Sequence, residues 1–81
     1  MKNTKTIIDV RTPGEFRTGH VEGSINSPLD QLYLKLEEIK QLKQPLVLCC
    51  ASGNRSSQAM TLLRSNGISC ENGGSWHSLL T

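Results

Sequence analysis

Cys50 is followed by Ala51, Ser52, Gly53, Asn54, Arg55 and Ser56, and residue types in that order suit a nucleophile set in an anion-holding loop. If Cys50 ends a strand and Ser56 opens a helix, the peptide N–H groups of residues 51 to 56 curl toward one point. The helix N-terminus adds partial positive charge there. A thiolate at that point is stabilised relative to the thiol, and its pKa falls below the free value of about 8.5. Gly53 supplies the backbone freedom for the curl, and Arg55 closes the ring with a fork that can hold two oxygens of an anion. The chemistry implied is nucleophilic attack by cysteine on an oxyanion-bearing substrate. The competing reading, a small buried hydrophobe in an ordinary strand-to-helix turn, fits Cys49, which continues the apolar run of residues 45–49. A disulfide between the adjacent cysteines is strained. Cys70 reads as core filler, with a resolving thiol as the alternative.

The elements needed to position this loop are legible in outline. Residues 6–10 read as a buried strand. Thr12, Pro13 and Glu15 then form a capping box that starts one or two helical turns ending near Gly19. A short β piece is expected at residues 24–26. Leu29, Leu32, Leu36 and Ile39 step by three, four and three along one helix face, and Leu34 and Leu42 fall off it. Pro45 opens a central strand whose unbroken apolar run implies cover on both faces. A helix from Ser56 places Ala59, Leu62 and Leu63 inward and stops at Asn66–Gly67. A last strand covers residues 68–71. Strands alternating with helices imply an α/β fold with a mostly parallel central sheet flanked by helices, and sites in such sheets lie beyond the carboxyl ends of the strands.

Composition narrows the partners. A chain of 81 residues reads as a single domain over 1–81, with a core built from Leu, Ile and Val because aromatics are only 4%. A net charge of +2, without a basic stripe, argues against nucleic acid. The apolar part of the N-terminus is too short for a signal peptide or membrane span, so the reading is cytoplasmic and away from membranes. Three cysteines without a Cys-x-x-Cys pair form neither a disulfide framework nor a zinc site. No metal or cofactor is called for.

Three segments together resemble a known family. "IIDVRTPGEFRTGHVEGSINSPL" is similar to the opening signature of rhodanese domains, "CCASGNRSS" to their active-site loop, and "NGGSW" to their double-glycine segment. The resemblance implies a small fold with a five-stranded parallel sheet, and sulfur transfer through a cysteine persulfide. By position the carrier is Cys50, surrounded by the amides of Ala51 to Ser56 and by Arg55. The donor is then a small sulfane-sulfur compound, thiosulfate or a persulfide, and the acceptor a thiol or cyanide; a protein donor or acceptor is also open. Two departures stand out. Ala51, Ser52, Gly53 and Asn54 carry no cation, whereas many thiosulfate-preferring members add one there. Trp76 also follows the double glycine sooner than usual, which implies a short closing helix.

Asp9 and Arg11, near the loop at the end of the first strand, read as a supporting pair, because a buried carboxylate must be partnered. His20 reads as structural, His77 as surface and Trp76 as a cap on the core. Two other functions compete. One is a cysteine phosphatase or arsenate reductase, but those loops have five residues between Cys and Arg where this one has four, and no Asp or Glu lies in the loop to protonate a leaving oxygen. The other is a non-catalytic persulfide carrier or partner-binding module.

Overall fold

The computed structural model describes residues 5–80. Four parallel strands form one sheet in the order β2-β1-β3-β4, with β1 at Thr6–Asp9, β2 at Ile25–Asn26, β3 at Leu46–Cys50 and β4 at Cys70–Ser75. The fold is the α/β arrangement read from the sequence. Strand β3 is buried at every residue, as its apolar run requires. It pairs with β1 from Thr6–Leu46 to Asp9–Cys49 and with β4 from Leu46–Cys70. The resemblance implies five strands; among the described residues there are four, and the other segments are helical, turn or loop.

Helix α1 (Pro13–Arg17) begins in the expected capping box: the Glu15 amide donates to Thr12 Oγ1 and the Thr12 amide to Glu15 Oε1. The helix expected from residue 29 divides. Leu29–Lys35 is a 3-10 helix, and α2 (Leu36–Lys40) follows it. A 3-10 turn places residues i and i+3 on one side, which keeps Leu29 with Leu32, and α2 keeps Leu36 with Ile39; Leu32 and Ile39 are buried, with Leu29 and Leu36 packed against the core. Leu34 is exposed, as its place off the face requires.

Helix α3 (Asn54–Ser65) starts two residues before Ser56, with Gly53 at the N-cap at φ +99°. Its buried residues, Ser56, Ala59 and Leu63, step by three and four. The core under it holds Ile8, Leu32, Leu46 and Leu48 without exposed surface and a buried Ile68, each worth about 2 kcal/mol relative to exposure. Strand β4 runs on to Ser75, past the expected end at 71, through a register shift opposite Leu48 and Cys50. Gly73 permits this: a Cβ there would lie 2.8 Å from Val47 Cγ1 and 3.1 Å from Leu48 O. A four-residue 3-10 helix, Trp76–Leu79, closes the described chain. No helix among the described residues is long and apolar enough to cross a membrane.

Candidate functional site

Because all four strands are parallel, Asp9, Asn26 and Cys50 end their strands along one edge of the sheet. The chain leaves β3 at Cys50 and needs only Ala51, Ser52 and Gly53 to reach α3. Gly53 makes so tight a turn feasible, since its positive φ is a conformation side chains disfavour, and a Cβ there would lie 3.4 Å from Gly74 Cα. The turn points amides back at the sulfur. Gly53 N–H donates to Cys50 Sγ at 3.0 Å and Ser56 N–H at 3.4 Å, and Ser56 Oγ lies 3.5 Å from Sγ.

Two opposed effects set the Cys50 thiol. Burial pushes its pKa up. The Ser56 hydroxyl and the amides of Ser56, Gly53 and Ser52 together pull it down further, to about 7. Cys50 has no exposed surface, and the lip beside it, Ala51 and Ser52, is exposed and small. Asn54 is exposed at the start of α3.

A second layer holds the turn. Ser56 Oγ, whose single hydrogen is shared between the sulfur and Asn72 Oδ1 2.6 Å away, belongs to both layers; Asn72 Nδ2 donates to the Gly53 carbonyl at 3.1 Å, and Gly74 N–H to Asn72 Oδ1 at 2.9 Å. Asn72 thus ties the loop to the bulged end of β4. The sequence shows it only as part of the double-glycine segment, because its contact with the loop exists only once β4 lies beside β3.

Asp9 and Arg11 form a buried bidentate pair. Arg11 Nε donates to Asp9 Oδ1 at 2.9 Å and Nη2 to Oδ2 at 2.8 Å, and the Arg11 amide reaches Oδ1 at 3.0 Å. Arg11 Nη2 also donates to the Gly19 carbonyl at 2.6 Å, and the guanidinium lies 4.6 Å from the Trp76 ring centre. Trp76 therefore covers this pair, not the aliphatic core. Neither Asp9 nor Arg11 hydrogen-bonds Cys50. Asn26 Nδ2 donates to the carbonyls of Asp9 and Arg11 and fixes the same strand end.

Arg55 has its fork on Glu15, with Nη1–Oε1 at 2.8 Å and Nη2–Oε2 at 3.0 Å. The sequence marks Glu15 only as a helix cap, and nothing in the intervening residues signals a partner forty positions away. The Arg55 bond, with help from Thr12, holds the Glu15 carboxyl down at about 2. His20 is exposed and stacked on Phe16 at 3.7 Å, and His77 is exposed. Cys70 is buried with its pKa raised by burial. It sits beside Leu46, four residues down β3 from Cys50, about 13 Å along the strand, too far for a disulfide.

A sequence profile of the rhodanese-like domain matches residues 1–76, and the chain belongs to that family. The uncharacterized protein YqhL of Bacillus subtilis is 46% identical over 61 residues, which are 75% of this chain and 48% of YqhL. Thiosulfate sulfurtransferase PspE of Escherichia coli is 35% identical over 69 residues, 83% of this chain and 66% of PspE. A rhodanese from E. coli, solved with anions, superposes with a TM-score of 0.82 at 28% identity, over 93% of this chain and 91% of that one. The chain spans about half to two thirds of the length of these two curated relatives.

Proposed function

We propose that this member of the rhodanese-like family is a sulfurtransferase in which Cys50 carries the sulfur as a persulfide. The observation that carries the reading is the convergence of the Ser52, Gly53 and Ser56 donors on Cys50 Sγ, which brings a fully buried thiol down to about 7. A thiolate is therefore available near neutral pH. It attacks the sulfane sulfur of a donor; the new bond runs from Sγ to that sulfur, the donor's own bond to it breaks, and the leaving group takes the electron pair. With thiosulfate the leaving group is sulfite. A thiol or cyanide then removes the outer sulfur and regenerates the thiolate, in a two-step covalent scheme.

The donors of Ser52, Gly53 and Ser56, within the loop Ala51 to Ser56, stabilise the thiolate and the persulfide anion alike, because both place negative charge where these amides point. The Asp9–Arg11 pair acts one step removed, by fixing the end of β1 against which β3 is registered. Residues 1–81 act as one domain, in a compartment reducing enough to keep the thiols free, such as the cytoplasm.

The test is intact mass after incubation with excess thiosulfate. The expected result is a gain of one sulfur on Cys50, lost again to cyanide, with no p-nitrophenyl phosphate hydrolysis above a Cys50→Ser control. Phosphatase turnover without a persulfide overturns the reading. A persulfide that forms once but never turns over would instead assign a carrier module.

A further inference from the structure

The Cys50 cradle accounts for the sulfur atom, but the second element of the loop, Arg55, is already occupied. Its guanidinium meets both Glu15 oxygens at 2.8 and 3.0 Å. The carboxylate is held independently: the Thr12 amide donates to Oε1 at 2.9 Å and the Thr12 hydroxyl at 3.1 Å. A capping box that defines the start of α1 therefore presents a fixed, ionised carboxylate to Arg55. An incoming sulfonate wants the same two N–H groups in the same plane. It must displace a carboxylate already positioned there, and it must approach that negative charge to do so. Arg11 offers no substitute, since Asp9 fills its fork as well. The residues between Cys50 and Arg55 are uncharged.

A second observation concerns space. Beside the ion pair lies an open cleft of about 250 Å³ bounded by Val10, Thr12, Pro28, Leu29, Asp30 and Arg55. Its walls are mainly hydrocarbon, and its acidic member, Asp30, adds negative charge. Such a cleft suits the carbon stem of an organic thiol and disfavours an inorganic dianion.

Building on the sulfurtransferase reading, we propose that Glu15 is a specificity-determining residue that closes Arg55 to sulfonate donors, and that the site takes its sulfur from the persulfide of a small organic thiol. The step balances without an added oxidant. The Cys50 thiolate bonds to the outer sulfur of R–S–S–H, the donor S–S bond breaks with its electron pair going to R–S⁻, and the proton stays on the transferred sulfur. Cys50 is oxidised to the persulfide level as the donor is reduced to its thiol. R–S⁻ takes a proton from water.

The experiment compares thiosulfate with 2-hydroxyethyl persulfide, made in situ from the disulfide and sulfide, as donors to the full chain and to Glu15→Gln. Sulfur loading of Cys50 is read by quenched intact mass. Gln at the third helical position still completes the capping box, so the variant removes the charge and keeps the helix start. The wild type should load from the alkyl persulfide about a hundredfold more efficiently than from thiosulfate. Glu15→Gln should improve thiosulfate about tenfold, through KM with the maximal rate little changed, and leave the alkyl persulfide within about twofold. Equal use of the two donors by the wild type overturns the proposal, and that arm needs no variant to fold. An unchanged thiosulfate KM in a folded Glu15→Gln protein also overturns it. If neither donor places sulfur on Cys50, the sulfurtransferase reading itself falls, a different failure from loading that shows no donor preference.

Discussion

Cys49 and Cys50 are consecutive on β3, and neither has exposed surface. Their thiols are nevertheless driven in opposite directions. Burial, with the charge of Asp9 adding to it, pushes Cys49 up to about 12; the same burial at Cys50 is outweighed, leaving it at about 7. Successive strand residues point to opposite faces of the sheet, so one residue of register decides which sulfur meets the amides of the turn. Desolvation opposes ionisation at both positions, and only directed donors overcome it. Reactivity here belongs to the turn that follows the second cysteine.

The largest effect that separates the neighbours is activity. Cys50→Ser should lower sulfur transfer to cyanide by at least about a thousandfold, because the covalent carrier is gone. Cys49→Ser should retain most of it. If the Cys49 variant alone loses activity, the assignment of roles is reversed.

The next effect is labelling. Iodoacetamide at pH 7 should modify Cys50 about a hundredfold faster than Cys49. The rate at Cys50 should rise with pH to a plateau, with its midpoint near the value of about 7 given by the cradle. Reagent and sulfur donor must both pass the small lip of Ala51 and Ser52, so failure of Cys50 to label in a protein that transfers sulfur would count against that route.

This contrast was partly visible in the sequence. Cys49 continues an apolar run, and Cys50 stands before Gly53 and Arg55, so strand periodicity and turn chemistry together select the second cysteine. The capping box at Thr12–Glu15 and the buried strand β3 were legible for the same reason, since each is settled by residues a few positions apart. What could not be read was long-range. Asn72 meets Gly53 and Ser56 only because β4 lies beside β3, and Glu15 meets Arg55 only because α1 folds over the loop. The spacing of Ala59, Leu62 and Leu63 marks a helix from Ser56 but does not fix its cap. In the structure Gly53 takes the cap position, and Ser56 turns inward to Asn72 and the sulfur. The segment 29–35 kept its predicted buried face but wound more tightly, a difference that a spacing of three residues does not resolve.

The turn itself supplies a sharper cut. Gly53→Ala introduces a side chain at φ +99° and within 3.4 Å of Gly74 Cα, at a cost of about 1–2 kcal/mol. The amide that lies 3.0 Å from Sγ should move away. Labelling of Cys50 at pH 7 should then slow about tenfold, as expected for the loss of one hydrogen bond to a charged group. Cys49 should remain unlabelled. If Cys49 becomes reactive in the same variant, the change is general loosening and not a property of the turn.

The smallest effect is on stability, and in it the two cysteines carry opposite signs. Cys50 ionises at about 7 in the folded protein against an ordinary value of 9.0, so between those values the unfolded chain binds more protons, and stability rises with pH. That contribution is fully present above 9.0 and is lost as pH falls through about 7. Cys49, raised from 9.0 to about 12, behaves in reverse: above 9.0 the unfolded chain gives up a proton that the folded protein keeps, and stability falls. Urea unfolding of the wild type against Cys50→Ala should show the wild type gaining about 1 kcal/mol between pH 7 and pH 8 relative to the variant. Taking the difference between the two proteins cancels every other titrating group. A Cys49→Ala protein should keep the gain between pH 7 and 8 and lose the decline above pH 9. If the wild type and Cys50→Ala differ by the same amount at pH 7 and pH 8, Cys50 is not ionising with the cradle, and the contrast between the two neighbours fails.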